Sequence, residues 1–181
     1  MTAQLSLLEK PLPTPSCALS DDGGGPDGLG RYRYALHIPL SHEPRVVLFV
    51  LANPSTAVVR EGKLAPDPTI TRGLGFARSW GFGTAVFANA RAWRETDPTK
   101  VPPDPEAIGP RNDWWLSLLA QEADLHVMGW GKLGGARGAE VLRLLRRDGH
   151  VPHALKLNDD GSPTHPLYLP ADLKPFPMEG A

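Results

Sequence analysis

The feature that most constrains the fold is the segment Arg45 to Thr56, which reads RVVLFVLANPST. Its apolar part, Val46 to Leu51, is uninterrupted and rich in β-branched residues, and this predicts a strand that is buried on both faces. The polar residues that follow would then lie at the carboxyl end of the strand, where open α/β sheets bind their ligands. The sequence Asn53 to Thr56 also fits an ordinary turn with a helix-capping hydroxyl, and the local pattern leaves both interpretations open.

Along the rest of the chain, apolar strand-like runs alternate with segments of helical periodicity. This order predicts one α/β domain of three αβα layers, with a short, mainly parallel central sheet that has the 46–51 strand in its interior. We expect a half-exposed edge strand at residues 31–40 and further strands at 84–88, 125–128 and 153–157. Helices are predicted from residue 67 to residue 81 and over residues 113–123 and 137–147.

Three regions of the chain differ in composition. Residues 1–30 are predicted to form a flexible leader, because residues 9–30 are rich in Pro, Ser, Gly and Asp and have little to bury. The folded domain is expected to span residues 31–170, with an irregular loop at 57–66 and a proline-rich loop at 97–105. Residues 171–181 are expected to form an irregular tail.

The first predicted helix has a clear start and a clear end. Asp67 precedes Pro68, which places a capping side chain ahead of a proline at the first helical position. Gly81 follows the last apolar residue of the helical stripe and is a typical stop. Gly73 and Gly75 lie inside this helix and each costs about 1 kcal/mol relative to Ala, which suggests that a backbone or a ligand comes close there.

Composition excludes several classes of protein. A chain of 181 residues with no run of 18 apolar residues predicts one globular domain and no membrane span. The amino-terminal sequence lacks the features of a secretory signal, so the expected location is the cytoplasm. The single cysteine, Cys17, excludes an internal disulfide, a cysteine-based zinc site and a four-cysteine cluster. We expect a monomer without metal or cofactor.

The motifs of several enzyme classes are also missing. The sequence has no GxxxxGK[ST] phosphate loop, no HExxH and no GxSxG. The histidines are not spaced in a way that groups them around a metal. The sequence Gly129 to Gly135, GWGKLGG, resembles a phosphate-cradling turn only weakly, and a flexible loop between a strand and a helix is the favoured interpretation.

Three polar residues stand at or beyond the ends of predicted strands: Asn53, Asn89 and His165. The carboxyl ends of parallel strands lie along one edge of a sheet, so these side chains are predicted to face one cleft. An amide such as Asn53 can orient a water molecule but is not a base at neutral pH, and Asn89 can bind the donors and acceptors of a planar heterocycle. His165 can donate a hydrogen bond to a developing anion, or place positive charge near it.

The combination of ANPST, DPTITRGLGFARSWGFG, FANARAWRETDP, MGWG and HPLYLP resembles the bacterial family called domain of unknown function 1643. This resemblance covers about residues 31 to 170. Membership of that family implies no function by itself.

The order of these motifs also resembles, more distantly, the uracil-DNA glycosylase superfamily. That resemblance implies a short parallel sheet with flanking helices and an enzyme that flips a damaged base out of DNA and cleaves its N-glycosidic bond with water. Asn53-Pro54 is similar to the water-activating motif of the mismatch-specific branch, and Asn89 to the asparagine that binds the uracil edge. His165-Pro166 is similar to the start of the motif that stabilises the departing base, although Leu167-Tyr168 replaces the usual Ser-Pro.

The resemblance assigns a role to each candidate residue. Asn53 and His165 would be catalytic, Asn89, Pro54 and Phe76 would contact the base, and Arg60, Lys63, Arg91, Arg94 and Tyr168 would contact DNA. Phe76 and Trp80 are the nearest candidates for the aromatic residue that stacks on the base, and both also fit core positions in a helix. The four basic residues also fit ordinary solvated loop charges. The cluster cysteines of one branch of the superfamily are absent, as are the glycines that surround the first motif.

Two further functions remain open alongside a DNA glycosylase. The chain also fits a DNA- or nucleotide-binding protein that has the fold without the chemistry, or a hydrolase of small nucleotides that uses the same cleft. The net charge of −1 does not by itself indicate a nucleic-acid-binding protein.

The amino terminus contains a short apolar segment, Gln4-Leu5-Ser6-Leu7-Leu8. It resembles the peptide by which bacterial repair and replication proteins bind the sliding clamp, usually written QLSLF or QLDLF. In such a mode Gln4, Leu5, Leu7 and Leu8 would contact a groove on the clamp, and the following Pro- and Gly-rich residues would form a tether. A frayed chain end with a few apolar residues explains the same sequence.

Overall fold

A computed structural model describes residues 11–25, 27–56, 59–61 and 63–179. The apolar segment Gln4–Leu8 therefore lies outside the described residues. Within the described part of the chain, no helix combines the length and the apolar character needed to span a bilayer. The strands are β1 Ser16–Leu19, β2 Arg33–Pro39, β3 Val46–Leu51, β4 Val59–Arg60, β5 Lys63–Leu64, β6 Thr84–Asn89, β7 Leu125–Met128, β8 Pro152–Ala154 and β9 Phe176–Pro177, and the α-helices are α1 Pro68–Ser79, α2 Asn112–Glu122 and α3 Gly135–Arg147.

The central sheet has seven strands in the order β1-β2-β6-β3-β7-β8-β9. The four strands in the middle, β6, β3, β7 and β8, pair in parallel. Antiparallel strands extend this core, with β2 and β1 on one side and β9 on the other. The sheet is therefore mixed around a parallel centre, and the predicted interior position of the 46–51 strand is confirmed.

Helices cover both faces of the sheet, which confirms the α/β prediction. Helix α1 packs on one face through Ile70, Phe76 and Ala77, against apolar side chains of β3 and β6. Helices α2 and α3 pack on the other face, where Leu116 and Leu145 are completely buried. The continuous apolar pattern of β3 is explained by these two cores, because its successive side chains point alternately into one and the other.

Helix α1 starts and ends close to the predicted positions. The Asp67 carboxylate accepts a hydrogen bond from the Ile70 backbone N–H at 2.9 Å, and Pro68 occupies the first helical position. The helix ends at Ser79, and Gly81 adopts a left-handed conformation with a φ of 76°. A capping carboxylate thus fixes the start of the helix, as the sequence predicts.

The prediction of a flexible leader over residues 1–30 is wrong for its second half. Strand β1 pairs antiparallel with β2, so β1 is the edge strand and β2 is buried on both faces. The turn between them is held by Asp22, whose carboxylate accepts hydrogen bonds from the backbone N–H groups of Gly24 and Arg31 at 3.0 Å. Composition suggested disorder because Asp, Ser and Gly are common in loops, but here the side chains of Ser20, Asp22 and Asp27 accept hydrogen bonds from the backbone.

Two more segments predicted to be irregular form short strands. Part of the tail, Phe176–Pro177, adds to the sheet as β9 by pairing with β8. Within the 57–66 loop, β4 and β5 form a small separate hairpin. Each of these strands is only two residues long, which is too short to give a periodic signal in the sequence.

The two glycines within α1 have different environments. A Cβ on Gly73 would lie 2.5 Å from the Phe87 ring, so this glycine lets α1 approach the sheet. The close neighbour of Gly73 is therefore the side chain of Phe87. A Cβ on Gly75 would meet nothing within 4 Å.

This contrast gives a paired prediction on one helix. Gly73→Ala is expected to lower the free energy of unfolding by about 1–3 kcal/mol, because the added methyl group overpacks the interface with β6. Gly75→Ala serves as the matched control and is expected to raise that free energy by up to about 1 kcal/mol through helix propensity. Urea unfolding followed by circular dichroism measures both. Equal changes in the two variants would contradict the close packing at Gly73.

Candidate functional site

A cleft of about 510 Å³ lies at the carboxyl ends of the parallel strands. Strand β3 is the point at which the chain changes direction across the sheet, because β6 and β7 flank it and their helices α1 and α2 cover opposite faces. Open α/β sheets bind ligands at such a switch point. The volume is in the usual range of about 300–1,000 Å³ for small-molecule sites. The three candidate residues Asn53, Asn89 and His165 all line this cleft, although His165 lies in a loop well beyond the end of β8.

Asn53 follows β3 and is held by two backbone carbonyls. Its Nδ2 donates hydrogen bonds to the Glu95 oxygen at 2.7 Å and to the Pro54 oxygen at 3.3 Å. Its Oδ1 has no hydrogen-bond partner among the described residues. The orientation of the amide is therefore set by the protein, and an acceptor oxygen remains available for a water molecule or a ligand.

Asn89 ends β6 and is only 2% exposed, although it lines the cleft. Its Oδ1 is buried and has no hydrogen-bond partner within the described part of the chain. The backbone of Asn89 is also fixed, since the Asn112 Nδ2 donates a hydrogen bond to the Asn89 backbone carbonyl at 3.0 Å. A buried polar atom without a partner costs about 1–3 kcal/mol, and a ligand with a hydrogen-bond donor would remove that cost.

His165 begins the short 3-10 turn Pro166–Tyr168 at the edge of the cleft. Its Nδ1 accepts a hydrogen bond from the Leu167 backbone N–H at 3.4 Å, which leaves the proton of a neutral imidazole on Nε2. Burial lowers the pKa of His165 below its ordinary value of 6.5, and the nearby Asp67 carboxylate opposes that shift. The neutral ring, with Nε2–H as a donor, is thus the form present at neutral pH.

A glycine places this histidine segment against the sheet. Gly129 directly follows β7, and a Cβ there would lie 2.7 Å from the Pro166 side chain and 3.2 Å from Leu51. The Gly131 backbone N–H donates to the Pro163 oxygen at 2.8 Å and fixes the same loop. The GWG sequence therefore positions the histidine loop at the strand ends.

The lowered pKa of His165 predicts a specific titration. We expect its NMR midpoint below 6.5, because burial disfavours the charged ring. The folded protein then binds this proton less readily than the unfolded chain, so His165 destabilises the fold as the pH falls from about 6.5 towards the folded midpoint. Two-dimensional spectra recorded from pH 8 to pH 4, assigned with a His165→Gln variant, measure it. A midpoint at or above 6.5 would contradict the buried environment.

The cleft also contains charged residues for which the sequence analysis predicted no role in the site. They are Arg33, Asp67, Glu95 and Lys132. Arg33 is 3% exposed, and burial lowers the pKa of its guanidinium group to about 10, with Asp67 opposing the shift. Arg33 starts the antiparallel strand β2, so its amino-terminal end lies beside the carboxyl ends of the parallel strands. The position of Arg33 in the cleft follows from the antiparallel pairing of β2 with β6, which the sequence did not predict.

Asp67 is engaged at both carboxylate oxygens. Oδ1 accepts from the Ile70 N–H at 2.9 Å, and Oδ2 accepts from the Ser55 hydroxyl at 2.6 Å. Both Ser55 and Asp67 line the cleft. Ser55 thus links the loop after β3 to the start of α1. Its hydroxyl, which belongs to the ANPST motif, donates a hydrogen bond to the carboxylate that caps α1.

Two predicted base contacts lie outside the cleft. Phe76 is 1% exposed and stacks on Trp80 with ring centroids 5.3 Å apart, so it belongs to the core under α1. Its predicted contact with a base is wrong, and the alternative core position is correct. Pro54 is buried and is not among the lining residues; its carbonyl accepts from the Glu95 N–H at 3.0 Å. Trp130 and Tyr168 are aromatic residues that do line the cleft.

The predicted DNA contacts divide into internal and exposed residues. Arg94 is 2% exposed and donates to both oxygens of Asp27, so the predicted DNA contact is wrong for this residue. Arg91 forms a two-bond pair with Asp104, each bond 2.8 Å long, and lines a smaller adjoining cavity of about 200 Å³. Arg60 and Lys63 lie exposed on the β4–β5 hairpin, outside the cleft lining.

Tyr168 is 84% exposed at the edge of the cleft, and the exposed Leu133 lies in the turn after β7 that also lines it. Among the described residues, no group of three or more His, Cys, Asp or Glu side chains is arranged to hold a metal ion. The polar groups of the cleft include two amides, a neutral histidine, two carboxylates, a lysine ammonium and a buried guanidinium.

Fold and cleft together define an α/β protein with a cleft at the switch point of its sheet. Comparison of the sequence with known families identifies the family of the chain. The family described as protein of unknown function (DUF1643) matches residues 33–167, and the chain belongs to this family. No significant match was found among curated proteins or among solved structures.

Proposed function

We propose that the protein is a divergent relative of the uracil-DNA glycosylases that removes a damaged base from DNA by hydrolysis of the N-glycosidic bond. The observation that supports this proposal most is the convergence of Asn53, Asn89 and His165 on one cleft. The buried Asn89 amide, whose Oδ1 has no hydrogen-bond partner among the described residues, suits the edge of a planar base. Asn53 suits the attacking water, and His165 suits the departing base.

The chemistry follows from the charges that develop when the bond breaks. The sugar becomes positive and the departing base becomes negative. The Nε2–H of a neutral His165 would donate a hydrogen bond to the base anion as it forms. The Oδ1 of Asn53 would hold the attacking water, while Asn89 would fix the base in its plane. The target nucleotide would have to leave the duplex to reach this cleft.

A panel of oligonucleotides tests the proposal. Single- and double-stranded substrates carry uracil, hypoxanthine, xanthine or ethenocytosine, and release of the free base is followed by chromatography. We expect one of these bases to be released by the wild-type chain and retained with a double variant, Asn53→Ala with Asn89→Ala, that is purified in parallel. Binding of the duplex without release of any base would instead support a binding protein of the same fold.

A second candidate, a hydrolase of free nucleosides or nucleotides, is favoured by the internal pairing of Arg91 and Arg94. Three of the four loop cations predicted to bind phosphates, Arg60, Arg91 and Arg94, form ion pairs within the protein, and the net charge is −1. Duplex DNA binding needs several such contacts. The same bases, supplied as deoxynucleosides and as 5′-monophosphates, separate the two candidates by their relative rates.

A further inference from the structure

The hydrolysis proposed above needs a group that takes a proton from the attacking water. The amide of Asn53 is not basic at neutral pH. The Nδ1 of His165 already accepts the Leu167 N–H, and its Nε2 carries the proton of the neutral ring. Neither of the two catalytic candidates therefore supplies a proton acceptor, whereas two carboxylates, Asp67 and Glu95, line the same cleft.

The hydrogen bonds of the two carboxylates distinguish them. Both oxygens of Asp67 are engaged, one by the Ile70 N–H and the other by the Ser55 hydroxyl. In Glu95, Oε1 accepts the Asp97 backbone N–H at 2.9 Å, whereas Oε2 has no hydrogen-bond partner among the residues that the structure describes. One oxygen of Glu95 is thus fixed, and the other is available to a water molecule.

Backbone hydrogen bonds place Glu95 next to Asn53. The Asn53 Nδ2 donates to the Glu95 carbonyl at 2.7 Å, and the Glu95 N–H donates to the Pro54 carbonyl at 3.0 Å. The two segments are therefore joined by two hydrogen bonds that run in opposite directions. Both residues line the cleft, so Glu95 and Asn53 are neighbours in its lining.

We infer that Glu95 is the general base of this cleft. This inference rests on the proposed hydrolysis. Asn53 Oδ1 and Glu95 Oε2 together hold one water; its oxygen bonds to the anomeric carbon as the carbon–nitrogen bond breaks, and its proton passes to Glu95. The electron pair of the broken bond leaves with the base, which accepts the His165 hydrogen bond and then takes up one proton. Glu95 returns its proton to solvent, so the carboxylate is regenerated.

The test compares Glu95→Gln with Glu106→Gln in single-turnover release of the base that the oligonucleotide panel identifies. Gln keeps an acceptor for the Asp97 N–H and leaves the backbone hydrogen bonds of residue 95 intact. We expect Glu95→Gln to reduce the rate by about 10²–10⁴-fold with little change in substrate affinity. Glu106 is exposed in the loop before α2, outside the cleft lining, and its variant is expected to match the wild type.

Further outcomes separate this inference from the proposed function. Glu95→Asp retains a carboxylate and is expected to recover part of the lost rate, provided that thermal unfolding shows both variants folded. A wild-type rate in Glu95→Gln, or a loss of affinity as large as its loss of rate, would overturn the role of Glu95 alone. Absence of base release by the wild-type chain from every substrate would overturn the proposed hydrolysis, and the role of Glu95 with it.

Discussion

Replacement of Asn53 by Ala is expected to reduce the rate of base release by about 10²-fold or more while it changes substrate affinity by only a few-fold. The amide is oriented by the Glu95 and Pro54 carbonyls, and its free Oδ1 is assigned to the attacking water. Removal of a group that acts mainly in the transition state lowers kcat and kcat/KM together. A misplaced water alone costs on the order of 10²-fold.

The matched variant for this experiment is Asn89→Ala, on the neighbouring strand end of the same cleft. Asn89 is proposed to bind the base in both the ground state and the transition state, so its loss is expected to weaken substrate binding as well as turnover. Single-turnover rates and equilibrium titrations with the same oligonucleotide measure both quantities. Equal losses of rate and affinity in Asn53→Ala would mean that Asn53 binds the substrate and does not position water.

Asp27→Ala is expected to lower the free energy of unfolding by about 3 kcal/mol. The guanidinium group of Arg94 is fully buried and donates to both Asp27 oxygens, at 2.9 and 2.8 Å. The same guanidinium also donates to the Gly30 and Thr56 carbonyls, at 2.6 and 3.2 Å, so the pair joins the amino-terminal segment to the loop after β3. Without Asp27, a buried positive charge would keep only these carbonyl partners.

The acid stability of the protein follows from the same pair. The Arg94 guanidinium holds the pKa of Asp27 well below its ordinary value of 3.8. Because the folded pKa is depressed, the stability that Asp27 provides is fully present above pH 4 and is lost as the pH falls towards the folded value. Asp21→Ala is the control, since Asp21 is an exposed acid of the same segment. Urea unfolding at pH 7 that gives equal stabilities for Asp27→Ala and Asp21→Ala would show that the pair contributes nothing.

The centre of the fold could be predicted from the sequence because its signals are local. The bounds of β3 and β7 agree with the prediction, and α2 begins one residue earlier than expected. These elements combine a continuous apolar run or a helical period with a clear end. Strands β1 and β9 could not be predicted, since each is short and depends on a pairing partner that is distant in the chain.

The residues of the candidate site also divide into those that the sequence could place and those that only the structure could place. Asn53 and Asn89 could be placed by the rule that parallel strands end along one edge. His165 lies beyond the end of β8, and its loop is held at that edge by contacts with Gly129 and Gly131. Arg33 could not be placed from the sequence, because its place in the cleft follows from the antiparallel direction of β2. Arg94 was misassigned because the sequence alone does not show that its guanidinium group is buried and paired with Asp27. Charged loop residues therefore needed the tertiary structure before a role could be assigned.

The measurement that tests the central claim most directly is a titration of the ¹⁵N-labelled protein with free uracil, hypoxanthine, xanthine and ethenocytosine. The claim is that a nucleobase occupies the cleft and forms hydrogen bonds with the buried side-chain amide of Asn89. The account predicts that at least one base shifts the side-chain amide signals of Asn89 and the indole signal of Trp130, and that Asn89→Ala abolishes the shift at Trp130. Shifts confined to residues outside the cleft, or none with any base at millimolar concentration, would contradict it.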